Sequence, residues 1–122
     1  MSHVVQIQTE IRDPVAIHTS CERLKLGPPQ EGKFQLLASE ASGLGIQLPG
    51  WRYPVVCHLD TGELFYDNYS GRWGEQSHLN KFLQTYAVTK ATIEARKRGH
   101  SVIEQQLADG SIKLTIQVGG VA

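Results

Sequence analysis

The chain has 122 residues, enough for one domain with a single core and too few for two. Its 12 basic and 12 acidic side chains cancel to a formal net charge of zero, which excludes a global field aimed at nucleic acid or an acidic membrane and leaves such binding to a local patch. Cys21 and Cys57 lie far apart without CxxC spacing, so neither a disulfide scaffold nor a cysteine-rich zinc site is expected.

The first residues lack a basic region followed by an apolar block, and no apolar run nears the ~20 residues that span a bilayer. The expectation is a cytoplasmic protein with no membrane contact. Residues 3–11 alternate, with Val5, Ile7, Thr9 and Ile11 on one side and Gln6, Gln8 and Glu10 on the other, the pattern of a half-buried strand. Asp13 followed by Pro14 marks a helix start, because the carboxylate accepts from free backbone N–H groups and proline fits the first turn. Ile17, Cys21 and Leu24 give this helix a thin apolar face, and Gly27-Pro28-Pro29 ends it.

Residues 33–38 (KFQLLA) read as a strand or extended edge, and residues 39–45 (SEASGLG) as loop, poor in core side chains. Residues 49–54 (PGWRYP) force a bend around Trp51 and Tyr53. Residues 55–59 and 63–67 form a hairpin through Asp60-Thr61-Gly62, where glycine supplies the positive φ of a tight turn. The dominant feature comes next, one long amphipathic helix within residues 73–99. Leu79, Phe82, Leu83, Tyr86, Ala87 and Ala91 recur at i, i+3, i+4 and i+7, while Arg96, Lys97, Arg98 and Gly99 suit its carbonyl end. A second hairpin pairs residues 101–107 with 111–118 through Ala108-Asp109-Gly110, and Ile112, Leu114, Ile116 and Val118 alternate with polar residues. This order predicts an α+β domain over residues 1–122: a ferredoxin-like antiparallel sheet of four to six strands with two helices packed on one face.

The opening MSH and first strand, GRWG at 71–74, FLQTYA at 82–87, KATIEARKRG at 90–99 and DGSIKLTI at 109–116 together resemble the hypothetical chloroplast reading frame thirty-five family of algal plastids and cyanobacteria. The likeness covers residues 73–118 and the first strand and is weak over 28–54, where PGWRYP is this chain's own. The resemblance implies a small α+β domain of bacteria or plastids, with no established reaction, ligand or catalytic residues. It also hints at a component of a multi-protein system, possible partners including an AAA-type ATPase.

The candidate binding residues are Trp51, Arg52, Tyr53, Tyr66, Tyr69, Arg72 and Trp73, a recurring aromatic and arginine set that makes a stacking platform if the hairpin brings its parts together. The alternative is that these rings close the end of the core. No catalytic residues, metal site or cofactor is expected. His58 and Cys57 are strand neighbours on opposite faces, Glu75 and His78 share a helix face without a second ligand pair, and Cys21 beside His18 lacks an activating arrangement. The functional expectation is a non-enzymatic protein-interaction module, docking through a sheet edge or the aromatic cluster. The alternatives are an RNA-binding module using the same residues with the basic helix end, and a ubiquitin-like or sulfur-carrier protein using Gly119-Gly120.

Overall fold

A computed structural model describes residues 5–7, 10–36 and 39–118. The chain runs β1 (Val5–Ile7), α1 (Pro14–Arg23), β2 (Gln30–Gln35), β3 (Glu40–Ile46), β4 (Val55–His58), β5 (Glu63–Tyr66), a 3-10 turn (Tyr69–Gly71), α2 (Gln76–Lys97), β6 (Ser101–Gln106) and β7 (Ile112–Gln117). The α+β class therefore holds, with two helices and antiparallel strands. No helix among the described residues is long and apolar enough to cross a membrane.

The strands form two sheets. One has the order β1-β5-β4-β3-β2, every neighbour antiparallel, and the other is the β6-β7 hairpin. This departs from the ferredoxin-like order. A split β-α-β arrangement needs each helix to carry the chain back into the same sheet, parallel to the strand it left and one antiparallel strand away from it. Here α1 joins strands at opposite edges of the sheet, and α2 leads into a hairpin whose strands, among the described residues, pair only with each other.

The five-stranded sheet has two working faces because β4 alternates between them. Val55 and Cys57 point to the helices and join Leu44, Ile46, Leu64 and Tyr66 against Ile17 and Cys21 of α1 and Leu79, Phe82 and Tyr86 of α2. Val56 points the other way, into a smaller cluster with Leu36 and Ala41, flanked by Phe34, Tyr53 and Phe65.

Residues 39–45, expected as loop, are instead mostly β3. Glycine is what fits this strand between its neighbours. A Cβ at Gly43 would lie 2.1 Å from the Cys57 carbonyl oxygen, and its φ of +147° is open to few other residues. At Gly45 a Cβ would meet the Phe34 ring at 2.6 Å, so the ring of β2 lies over bare backbone on β3.

The ends of the helices follow their predicted chemistry. Asp13 Oδ1 accepts the N–H groups of Val15 at 2.9 Å and Ala16 at 3.3 Å. Gly99 takes φ +81° beyond α2. The Tyr86 hydroxyl of α2 accepts from the Arg12 and Asp13 backbone N–H groups, and Lys90 Nζ lies 2.9 Å from Asp13 Oδ2. These bonds fix the start of α1 to the middle of α2. The predicted apolar stripe of α2 is narrower than expected, for Leu79, Phe82 and Tyr86 are buried while Leu83 and Ala91 are half-buried and Ala87 is exposed. A second buried row, Thr85, Thr89 and Thr92, replaces it. Arg23 Nη1 donates to Thr89 Oγ1 at 2.9 Å, and Thr92 Oγ1 donates to Glu104 Oε1 of β6, so this row carries polar links to α1 and the hairpin.

Gly43→Ala and Gly45→Ala are expected to destabilise by about 2–3 kcal/mol, the typical cost of forcing an atom into a filled site. Gly27→Ala, where no atom lies within 4 Å, should change the urea midpoint far less. Lys90 also holds the Asp13 carboxyl below its ordinary value of 3.8, against the opposing effect of burial. The folded-state pKa is thus the lower one, so the stabilisation is complete above the unfolded value and is lost as pH falls through the folded value. Asp13→Asn keeps a capping acceptor but removes the ion pair. Its deficit, under about 1 kcal/mol at neutral pH, should shrink at acid pH in denaturation curves taken across pH 2 to 7.

Candidate interaction surface

The surface is built from two segments that flank the β4-β5 hairpin at one end of the sheet. The first is the bend at 49–54. Trp51 is buried at 4% exposure, its ring edge-on to Tyr66 at 5.7 Å and its Nε1–H donating to the Glu75 carbonyl at 3.0 Å. The second is the loop from Asp67 to Glu75, organised by two buried side chains. Asp67 Oδ1 accepts the Tyr69 N–H at 3.1 Å, holding Tyr69 at a positive φ of 48°. Asn68 takes the N–H groups of Gly71 and Trp73 on its backbone carbonyl, and its side chain donates from Nδ2 to the Gly74 carbonyl. Asp67 Oδ2 is buried and has no hydrogen-bond partner among the described residues, a cost retained in this loop.

The two segments meet at Gly74, where an added Cβ would lie 2.4 Å from the Trp51 ring, and through the Arg52 N–H, which donates to the Trp73 carbonyl at 2.8 Å. Glycine at 74 lets the indole lie flat on the chain.

On this base stands an ordered stack. The Arg52 guanidinium lies 5.0 Å from the Trp73 ring centre and 5.7 Å from that of Tyr53. Trp73 stacks on Tyr69 at 4.7 Å with an interplanar angle of 22°, and Tyr53 meets Trp73 edge-on at 5.6 Å. Arg72 lies 5.2 Å from the Tyr69 ring centre. Arg52 and Arg72 are exposed, and Tyr53, Tyr69 and Trp73 half-buried.

Of the seven residues expected at the site, five come together at the surface. Trp51 and Tyr66 instead form the floor beneath it, both inside the main core. Sequence reading missed Asp67, Asn68 and Gly74, which position the rest. The signal was present in the Asp-Asn pair followed by glycines, a turn-forming composition.

The other candidate groups lie elsewhere. Cys21 and Cys57 are buried free thiols, and burial pushes them up to about 11 and about 12 respectively, the nearby Cys21 adding to the second. His18, His58, Glu31 and Asp60 line a depression of about 460 Å³ against α1, where His58 Nδ1 is 3.0 Å from the Thr61 hydroxyl. Among the described residues no three histidine, cysteine or acidic side chains form a group that could hold a metal ion. Gly119 and Gly120 lie outside the described residues, as do residues 3, 4, 8 and 9 of the predicted first strand. Comparison with family models, curated proteins and solved structures yields no match.

Gly74→Ala tests the assembly of this end. It should displace the Trp51 ring, shift tryptophan fluorescence to the red, and cost about 1–3 kcal/mol in a denaturant titration.

Proposed function

We propose that this chain is a non-enzymatic protein-interaction module, an adaptor of a multi-protein system. It docks a partner through Arg52, Tyr53, Tyr69, Arg72 and Trp73. The observation that carries this reading is the stack itself: rings and guanidiniums held in mutual order at the surface by a hydrogen-bonded loop. Tryptophan, tyrosine and arginine dominate the energetics of protein contacts, and ordering them beforehand reduces the entropy lost on binding. The surface continues past Tyr53 to Phe65 and Phe34 on the sheet face opposite the helices.

The proposed setting is a multi-protein system of the cytoplasm, with an AAA-type ATPase among the partner classes that the motif resemblance hints at. Both thiols are buried, and burial raises them well above the range of an activated nucleophile, which gives no support to nucleophilic chemistry. RNA binding by the same groups is the second reading, since base stacking on aromatic rings would use them. It is less well supported, because the rings already stack on each other and on arginine.

The test is affinity purification from the native host, with and without nuclease. Trp73→Ala and Tyr69→Ala should lose a co-purifying protein that survives nuclease treatment, while circular dichroism stays that of the native chain. Retention of every bound protein by both variants would remove the proposal, and nuclease-sensitive retention would replace it with the RNA reading.

A further inference from the structure

The charges of the docking surface specify the chemistry of its partner, provided that the surface has the docking role proposed for it. Arg12, Arg23, Lys33, Lys90 and Lys97 each have a carboxylate within ion-pairing distance. Among the described residues Arg52 and Arg72 have none and are exposed, as is true of Lys25, Lys81, Arg96, Arg98 and Lys113. Arg52 and Arg72 are each held over an aromatic ring instead. A guanidinium that lies over a ring can keep its in-plane N–H donors for a carboxylate, which the fork receives through two parallel hydrogen bonds.

The separation of the two forks is bounded. From Arg52 to Trp73, Tyr69 and Arg72 the successive steps are 5.0, 4.7 and 5.2 Å, so the guanidinium carbons are at most about 15 Å apart. Extended chain rising about 3.3 Å per residue covers that reach in four to five residues.

We infer that the surface binds an extended acidic segment of a protein partner, with carboxylates up to about four residues apart, one on each guanidinium, and the intervening side chains against the exposed edges of Trp73 and Tyr69. A polynucleotide is the weaker match. Its bases need open ring faces, and Trp73 and Tyr69 are already stacked on each other.

The test uses fluorescein-labelled octaglutamate and a labelled oligothymidylate, titrated into the full chain and followed by fluorescence anisotropy. Octaglutamate should bind with an affinity that falls as salt rises, and Arg52→Gln and Arg72→Gln should each weaken it about tenfold. Arg52→Lys and Arg72→Lys, which keep the charge but lose the fork, should fall between. The double variant Arg96→Gln/Arg98→Gln, at the far end of α2, should bind like the native chain. The inference is overturned if octaglutamate does not bind, if the α2 variant weakens it as much as the stack variants do, or if oligothymidylate binds more tightly. If octaglutamate fails while Trp73→Ala still loses a nuclease-resistant partner, docking stands and the acidic segment alone is withdrawn.

Discussion

The burial of Trp51 is the constraint on which the functional end of this molecule depends. Its indole joins the core through Tyr66, presses on the backbone at Gly74 and donates to the carbonyl of Glu75, immediately before α2. Removing a buried tryptophan costs about 3–5 kcal/mol, more than a helix cap or a surface ion pair contributes. The ring therefore sets where α2 begins, and with it the register that brings Leu79, Phe82 and Tyr86 onto the sheet. It also fixes the neighbours of Trp51 in sequence. With position 51 anchored in the core, the Arg52 side chain is exposed, and Tyr53 packs toward the sheet face away from the helices.

Periodicity made much of this fold legible, and its failures have physical causes. The two helices, both hairpins and their turn glycines follow from spacing and turn chemistry, as the positive φ at Gly62, Gly99 and Gly110 bears out. Strand β3 was hidden because strand propensity measures side-chain packing, and here the packing is supplied by others: Phe34 fills the space over Gly45, and the β4 backbone crowds Gly43. The threonine row of α2 escaped a reading based on apolar spacing. Those hydroxyl-bearing residues are buried because part of their surroundings is polar, with the Arg23 and Glu104 side chains reaching Thr89 and Thr92. The ferredoxin-like expectation assumed that the last two strands join the main sheet. Nothing in the alternation of Ile112, Leu114 and Ile116 distinguishes a strand packed under a sheet from one laid on a helix.

The candidate site was legible in composition but not in sidedness. In a regular strand, one known orientation gives all the others, because successive side chains alternate. Trp51, Tyr69 and Trp73 lie in bends and a 3-10 turn, where no such rule applies. Which aromatic is floor and which is surface was therefore decided by Asn68 and Gly74, through hydrogen bonds and close approach that sequence spacing does not encode. Tyr66 was recoverable in principle, since it shares the β5 face with the buried Leu64.

The energetics of the stack argue that its order serves binding more than folding. An exposed cation–π contact contributes about 0.5–1 kcal/mol, and ordering a long side chain costs a comparable or larger amount of rotamer entropy. Arg52 and Arg72 thus add little net stability to a domain already held by a core of aliphatic and aromatic side chains. What they gain is position, with guanidiniums held over rings at the surface and, among the described residues, no carboxylate competing for their forks. A ligand that meets them avoids much of the ordering cost of about 0.5–1.5 kcal/mol per side chain that flexible arginines would impose on association. The buried but unpaired Asp67 oxygen fits the same account, because its cost is borne by the loop whose turn holds Tyr69 beneath Arg72.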